Sequence, residues 1–243
     1  MKAGIAMGLL LASASLQAGE AGEPVRFPAT ARVVLDAEGV PQQVQANPKL
    51  PSVVRHAVEE RIARWRFEPA RVNGVPKPGI THVRLKACAI PQADGGMRIG
   101  MDYAANGPGY ADDALRLPPL PYPPLAARAG AEGSFELTVR VGRDGRASLA
   151  SVKTRRGSVG DFRHAMEAWV DSIRYQPEVV DGHPIETQLR FPVAFFFETR
   201  TASSPDPRTL DARSPECAAA AGQQDDPMTP VVLDSPFKPL STG

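Results

Sequence analysis

The fold is decided by the stretch Trp65-Arg66-Phe67-Glu68-Pro69-Ala70-Arg71-Val72-Asn73-Gly74, which ends a helical pattern and turns at a proline. A second copy, Ile173-Arg174-Tyr175-Gln176-Pro177-Glu178-Val179-Val180-Asp181-Gly182, follows 108 residues later. Both copies keep an arginine, an aromatic residue, a proline, a valine and a glycine in the same register. A self-match of this length indicates an internal repeat, so the sequence predicts two units of similar fold.

The substitutions between the two copies indicate a packing role. Ile173 replaces Trp65 and Tyr175 replaces Phe67, so bulk and apolar character are kept while the arginine and proline stay. This pattern favours a joint between helix and strand over a binding site. The residues that mark the fold in the two copies are Trp65, Phe67, Pro69, Gly74, Tyr175, Pro177 and Gly182.

Around the first copy, the sequence predicts a β-β-α-β unit over residues 25–90, called the first unit here. Two short apolar runs flank a turn at Glu38-Gly39, which favours a hairpin. Four residues recur at the helical period before Pro69, which cannot continue a helix. A final run at residues 81–87 alternates in polarity and is typical of a half-buried strand. The periodic helix residues are Val54, Val58, Ile62 and Trp65.

Residues 120–198, called the second unit here, follow the same plan. A strong period-2 strand at 135–141 leads through a turn at Asp144-Gly145 into a returning strand. A helix follows and ends before Pro177, and residues 188–197 form the last predicted strand. The predicted fold class is therefore α+β, with two small β-β-α-β domains in tandem.

The remaining segments read as connections by composition. Residues 91–119 are rich in glycine and proline and predict a linker. Residues 199–243 are polar and Pro-rich, and they predict a mostly disordered tail. Within that tail, Val231-Val232-Leu233 is the one apolar patch that could add a strand to an exposed edge.

The N-terminal residues are typical of an export signal. Lys2 precedes a short apolar run, and residues 1–18 end in a small residue suitable for cleavage. We therefore expect a periplasmic protein, or one anchored in the inner membrane if this segment is not cleaved. Export would place Cys88 and Cys217 in an oxidising compartment, where they either form one disulfide or remain two separate thiols.

The ordered motifs of both units resemble the TonB C-terminal domain family. The first unit carries the run from Trp65 to Arg71, and the second carries Tyr122-Pro123-x-x-Ala126. The departures are the missing Tyr-Pro pair in the first unit and, in the second, Ile173 for tryptophan and Glu178 for alanine. The resemblance implies capture of an extended segment of an outer-membrane receptor by strand addition. The candidate partner-binding residues are Tyr122, Pro123, Ala126, Ala127, Leu189, Arg190, Phe191, Val193 and Phe195.

Function therefore has two candidate readings. The first is a TonB-like periplasmic protein that serves energy-dependent uptake of siderophore- or vitamin-type cargo, with energy coupling through a separate inner-membrane motor component. The alternative is a periplasmic structural or interaction module that binds another envelope component without a transport role. The net charge of +1 gives no sign of nucleic-acid binding, the four histidines show no metal-ligand spacing, and the sequence has no glycine-rich phosphate loop. We therefore expect no nucleic acid, metal, cofactor or small-molecule substrate. Since no nucleophile has a motif that positions a base beside it, we expect no enzyme.

Overall fold

The computed structural model describes residues 25–92, 94–197, 217 and 230–242. The predicted signal segment and most of the predicted tail lie outside these residues. Two principal sheets are present, each with a helix packed on it. The helices are α1 (Ser52–Ala63), α2 (Pro124–Arg128) and α3 (Arg163–Ser172), with short 3-10 turns at Ala111–Asp113 and Val159–Asp161.

The first half of the chain contributes the following strands. They are β1 (Val25–Leu35), β2 (Pro41–Ala46), β3 (Arg66–Glu68), β4 (Ala70–Val72), β5 (Val75–Lys77), β6 (Gly79–Pro91), β7 (Met97–Gly107) and β8 (Gly109–Tyr110). The second half of the chain contributes β9 (Gly133–Val141), β10 (Ala147–Arg156), β11 (Tyr175–Gln176), β12 (Val179–Val180), β13 (His183–Pro184), β14 (Thr187–Phe195), β15 (Val231–Val232) and β16 (Lys238–Ser241).

The two units have the same strand order at their centres. The first sheet runs β13-β12-β6-β1-β2, with β7 also paired to β6, and the second runs β10-β9-β14-β15. In each unit the last strand pairs antiparallel with the first strand of the hairpin. The helix buries one apolar face against its sheet, with Val54, Val58 and Ile62 in α1 and Met166, Trp169 and Val170 in α3. Each unit therefore has its own hydrophobic core.

The repeated stretch forms the same joint twice. The Phe67 backbone N–H donates to the Gly39 carbonyl at 3.0 Å, and the Tyr175 N–H donates to the Gly145 carbonyl at 2.9 Å. Both glycines have φ of 78°, and an added Cβ would lie 1.9 Å from the Phe67 oxygen or 2.2 Å from the Tyr175 oxygen. Only glycine fits such a close approach at positive φ. The hairpin turn thus clamps the aromatic residue of the repeat.

The linker prediction for residues 91–119 is wrong over much of its length. β7 pairs with β6 from His82↔Gly107 to Pro91↔Met97, and β8 pairs with β11 of the second unit. Ile99, Met101 and Tyr103 pack against the first core. The sequence did not predict β7 because small residues interrupt the alternation of apolar and polar side chains along it. These residues are Gly100, Ala104, Ala105 and Gly107. Its stability comes from pairing with β6, which no local pattern reveals.

The tail prediction needs a partial correction. Residues 230–242 are described and carry β15, which pairs with β14, and β16, which pairs with β3. The apolar patch at Val231-Val232 does add a strand to a sheet edge, as its composition predicted. Phe237, 1% exposed, enters the first core. Cys88 and Cys217 form a disulfide, which resolves the alternative left open by the sequence.

Candidate strand-binding edge

β14 is the strand on which a partner segment was predicted to bind, and the structure separates its side chains from its backbone edge. Leu189, Phe191, Val193 and Phe195 are at most 3% exposed and fill the second core, whereas Arg190 is exposed. The four apolar side chains therefore cannot contact a partner directly. What β14 can offer a partner is its backbone on the side away from β9.

The direction of the outer backbone groups follows from the bonds to the tail. The Gln188 N–H donates to Asp234 Oδ1 at 2.7 Å, and the Gln188 carbonyl accepts from the Leu233 N–H at 2.9 Å. Both groups of Gln188 thus face away from β9. Because backbone groups alternate in direction along an antiparallel strand, Arg190, Pro192 and Ala194 also face outward.

The outer edge of β14 is covered at one end and open at the other. β15 pairs only with Leu189 and Arg190. From Phe191 to Phe195, no strand among the described residues lies on this side. Pro192 faces outward without an N–H, and Ala194 supplies both an N–H and a carbonyl. Proline on an edge strand weakens edge-to-edge pairing, so the open stretch admits a short partner segment but is protected against indiscriminate association.

The Tyr122 segment lies at the same end of β14. The Tyr122 ring is 5.5 Å from the Phe195 ring and 5.0 Å from the Phe197 ring, centroid to centroid. Its hydroxyl donates to the Ala131 carbonyl. Pro123 and Ala127 are half-buried and Ala126 is buried within or beside α2. Of the four predicted residues in this segment, Tyr122 and Pro123 retain surface beside the open stretch, while Ala126 is a packing residue.

Three exposed apolar residues near this region were not among the predicted site residues. Phe196 and Phe197 are 45% and 41% exposed, and Leu125, in α2, is 77% exposed. Phe196 was identifiable from sequence as an apolar residue on the outer face of the last strand. Leu125 lies inside the run from Tyr122 to Ala127 that the resemblance marked as a contact segment, although it was not itself among the candidate residues.

A buried carboxyl group joins the two units to the C-terminal segment. Glu178 Oε1 accepts hydrogen bonds from the Thr81 hydroxyl at 2.6 Å and the Ser235 hydroxyl at 2.8 Å. The Thr187 hydroxyl donates to Oε2 at 3.3 Å. Burial raises the pKa of Glu178, and these hydroxyl donors oppose the rise. The sequence signal was the replacement of the alanine of the first copy, Ala70, by glutamate.

A second polar contact lies on the opposite face of β6. His82 is 8% exposed, and its Nε2 lies 3.1 Å from Gln176 Oε1 in β11. Burial lowers the pKa of His82 to about 4. The Arg84 guanidinium lies 5.7 Å from the centre of the Tyr110 ring, and its Nη1 donates to the Pro108 carbonyl at 3.0 Å. The His82–Gln176 contact joins the second unit to the first sheet, and the Arg84 contacts hold the segment between the units against the same face.

Neither a metal cluster nor a membrane-spanning helix is found in the part of the chain that the structure describes. No group of three or more His, Cys, Asp or Glu side chains there could hold a metal ion. None of the described helices has the length and apolar character needed to cross a bilayer.

The fold and the site define a class: a small α+β domain that presents part of the edge of a four-stranded sheet beside an aromatic cluster. Residues 118–197 match the family model of the Gram-negative bacterial TonB protein C-terminal, so this part of the chain is similar to that family. Neither the curated proteins nor the solved structures gave a match. The match covers the second unit, and the likeness of the first unit to it rests on the internal repeat.

Proposed function

We propose that this chain is a TonB-like envelope protein whose second unit captures an extended segment of an outer-membrane receptor on the open stretch of β14. The observation that carries the proposal is the backbone edge from Phe191 to Phe195, which no strand of the described residues covers and which lies inside the part of the chain that matches the TonB family. An added strand gains backbone hydrogen bonds there, and Tyr122 and Phe197 offer apolar surface beside it. The Cys88–Cys217 disulfide supports a location in an oxidising compartment such as the periplasm.

A transport role and a motor partner are the finer part of this proposal. In that role, the receptor segment would be held by the second unit while a separate inner-membrane component supplies energy. Loss of the chain should then abolish uptake of receptor-dependent cargo in a strain that keeps the receptor. Unchanged uptake would reject the transport role and leave binding to be tested on its own.

One observation favours the alternative of an interaction module without a transport role. The first unit uses the edge of β6 for β7, a strand of the same chain, so it has kept the fold for internal packing. A protein of this kind would bind an envelope partner through the second unit while uptake continues normally in its absence.

Binding is tested by titrating the isotope-labelled full chain with synthetic peptides that carry the N-terminal box segments of outer-membrane receptors. We expect backbone amide shifts concentrated at residues 191–197 and at Tyr122. Absence of shifts in β14 with every box peptide would reject the proposed function.

The matched variants are Ala194→Pro and Ala150→Pro. Ala194 is exposed and faces outward on β14, so proline there removes a donor without breaking the ladder to β9, as Pro192 already shows. Ala150 is exposed on β10, the opposite edge, where it is left unpaired at a bulge between Leu149 and Ser151. We expect Ala194→Pro to abolish binding and Ala150→Pro to leave it intact. The reverse result would move the site to β10.

A further inference from the structure

A cavity of about 450 Å³, called the seam cavity here, lies between the first sheet, the β8 segment and Gln176 of β11. It is lined by polar side chains from two neighbouring strands of the first sheet. Arg32 of β1 pairs with His82 of β6, and Thr30 pairs with Arg84. Because side chains directly opposite each other on paired strands share a face of the sheet, these four groups lie together. A cavity of this size can hold a small molecule.

Arg84 brings a positive charge to the seam cavity without a matching set of acceptors. The residue is 7% exposed, and its Nη1 donates to the Pro108 carbonyl at 3.0 Å. Its Nε and Nη2 are buried and have no hydrogen-bond partner. A guanidinium carries five N–H donors and no acceptor, and unpaired donors in a buried place cost free energy. A ligand rich in acceptor oxygens would recover that cost.

The charges around the seam cavity favour an anion as this ligand. The charged side chains that line it, besides His82, are Arg32, Arg55, Arg84, Glu59 and Asp113. In the part of the chain that the structure describes, none of these arginines forms an ion pair with a carboxylate. The half-buried Arg32 has one weak contact among the described residues, from its Nη1 to Gln45 Oε1 at 3.5 Å. Arg32 can therefore turn toward a ligand at little cost.

We propose that the seam cavity binds a small ligand through an oxyanion, either a carboxylate or a phosphate group, held by the guanidinium groups of Arg84 and Arg32. The planar fork of N–H donors on arginine matches the oxygens of both groups. This site goes beyond the proposed function, because it lies on the first unit and shares no residue with β14. The expectation of no small-molecule ligand came from motifs along the chain, which do not reveal a cavity formed where β1 pairs with β6.

The residues that cover Arg84 provide a route for the ligand. The Arg84 guanidinium lies over the ring of Tyr110, and Gln176 Nε2 donates to the Tyr110 carbonyl at 3.4 Å. Both covering residues belong to the β8–β11 bridge, which has only two residue pairs. Because the unpaired nitrogens of Arg84 are buried, an oxyanion reaches them when Tyr110 and Gln176 move. Binding should therefore change the signals of this bridge together with those of Arg84.

Binding is tested by titrating the isotope-labelled full chain at pH 7 with sodium phosphate and, separately, with sodium acetate. Sodium chloride keeps the ionic strength constant. We expect the side-chain Nε–H signal of Arg84 to shift and saturate, and the amide signals of Tyr110 and Gln176 to shift with it. Saturation with phosphate alone assigns a phosphate group, and saturation with acetate alone assigns a carboxylate. An Arg84 Nε–H signal that moves with neither anion overturns the proposal.

The matched variants are Arg32→Gln and Arg98→Gln, which remove the same charge at two places. Arg32 lines the seam cavity, whereas Arg98 is exposed on β7 outside it. We expect Arg32→Gln to weaken anion binding by about 10-fold or more, the worth of a hydrogen bond to a charged group. Arg98→Gln should leave the affinity unchanged within about 2-fold. Equal losses in the two variants would show general attraction to a basic surface and would overturn the site.

Arg84→Met tests the principal donor, because methionine is also long and unbranched but has no N–H group. The saturable shift of the Tyr110 amide should disappear in this variant. A folded Arg84→Met protein that binds the anion with wild-type affinity would overturn the role of Arg84. Should the variant fail to fold, the Arg84 Nε–H signal of the wild type and the comparison of Arg32→Gln with Arg98→Gln decide the question.

Discussion

The two units share a joint and differ at an edge. In both, a hairpin glycine clamps the aromatic residue that follows the helix, through backbone bonds of 3.0 and 2.9 Å. The units differ at the outer edge of the last strand: β6 is covered by β12 and β7, whereas among the described residues β14 is covered only by β15, at Leu189 and Arg190. The joint is set by residues within each repeat. The edge is set by the segment that follows it, and the segments that follow the two repeats have no sequence in common.

Because of this difference, the two units have different roles in the molecule. The first unit binds β7, the hairpin β12–β13, β16 and the disulfide-linked Cys217, so it organises the rest of the chain. The second unit keeps an open stretch of backbone and an exposed aromatic rim. A repeat whose copies were functionally equivalent would show the same edge twice.

The largest expected effect comes from a substitution at the helix–strand joint of the first unit. Trp65→Ala should lower the free energy of unfolding by about 3–5 kcal/mol, because Trp65 is 1% exposed and its removal leaves a cavity. The Trp65 ring also lies 5.9 Å from the Tyr103 ring of β7, so amide exchange protection in β7 should fall with it. Denaturant unfolding and hydrogen exchange measure the two effects.

The control for this variant is Ile173→Ala at the equivalent joint. Ile173 is 3% exposed, so we expect a loss of about 2–5 kcal/mol, with no selective loss of protection in β7. If Ile173→Ala loosened β7 as strongly as Trp65→Ala does, the joint of the first unit would have no special connection to its filled edge.

The next effect concerns the Cys88–Cys217 disulfide, which links the first unit to the C-terminal segment. The double variant Cys88→Ser/Cys217→Ser should lower the stability of the protein by about 2–5 kcal/mol, because the disulfide closes a loop of sequence separation 129. Denaturant unfolding of the oxidised wild type and of the variant measures the loss, and a reductant should leave the variant unchanged. Reaction of Cys217 with a thiol probe in the non-reduced wild type would contradict the presence of the disulfide.

The comparison also shows what the sequence could predict. The β-β-α-β order of each unit was predictable because its period-2 and 3.6-residue patterns are local. The helices end at Ala63 and Ser172, several residues before Pro69 and Pro177, so the prolines predicted only a limit that the helices do not reach. The Val231–Val232 strand was predictable because it is the one apolar patch in a polar tail. The clamp at Gly39 and Gly145 was visible only as two turn signals, since the contact with Phe67 or Tyr175 spans about 30 residues.

The rest depended on non-local pairing. β7 contains too many small residues to show a period, and only the ten-residue ladder with β6 defines it as a strand. The candidate edge residues were chosen by resemblance, which did not distinguish the buried side chains of Phe191 and Val193 from the outward backbone of Pro192 and Ala194. That distinction needs the register with β9 and β15, and register is a property of the assembled sheet.

A pH effect tests the difference in exposure between equivalent positions of the two last strands. His82 in β6 corresponds to Arg190 in β14; the first is buried by neighbouring elements and the second is exposed. Because the pKa of His82 falls from 6.5 to about 4 on folding, the unfolded chain takes up its proton first. Stability is therefore complete above about pH 6.5 and falls by about 3 kcal/mol as the pH drops to 4.

The variant that checks this pH effect is His82→Gln, which keeps a polar partner for Gln176 and cannot take up a proton. Its unfolding free energy should fall less between pH 7 and pH 4 than that of the wild type. His56→Gln, on the exposed face of α1, is the matched control and should retain the wild-type acid slope. Parallel wild-type and His82→Gln profiles would mean that the contact between the units does not exclude the charged imidazole.

The smallest expected effect is a change in the pH dependence of stability at Glu178, which stands where the first copy of the repeat has Ala70. Burial raises the pKa of Glu178, so the folded state holds its proton at pH values where the unfolded chain has lost it. Its contribution to stability is therefore present at low pH and declines as the pH rises above about 4.5. Glu178→Gln removes this decline while an amide oxygen still accepts from Thr81 and Ser235.

The unfolding free energies of wild type and variant should thus shift in favour of the variant between pH 4 and pH 8. The exposed Glu186→Gln, paired with Arg140 at 3.0 Å, should not show this shift. A difference between wild type and Glu178→Gln that stays constant with pH would mean that the carboxyl ionises freely in the folded protein, and that the junction of the two units is more open to water than its hydrogen bonds indicate.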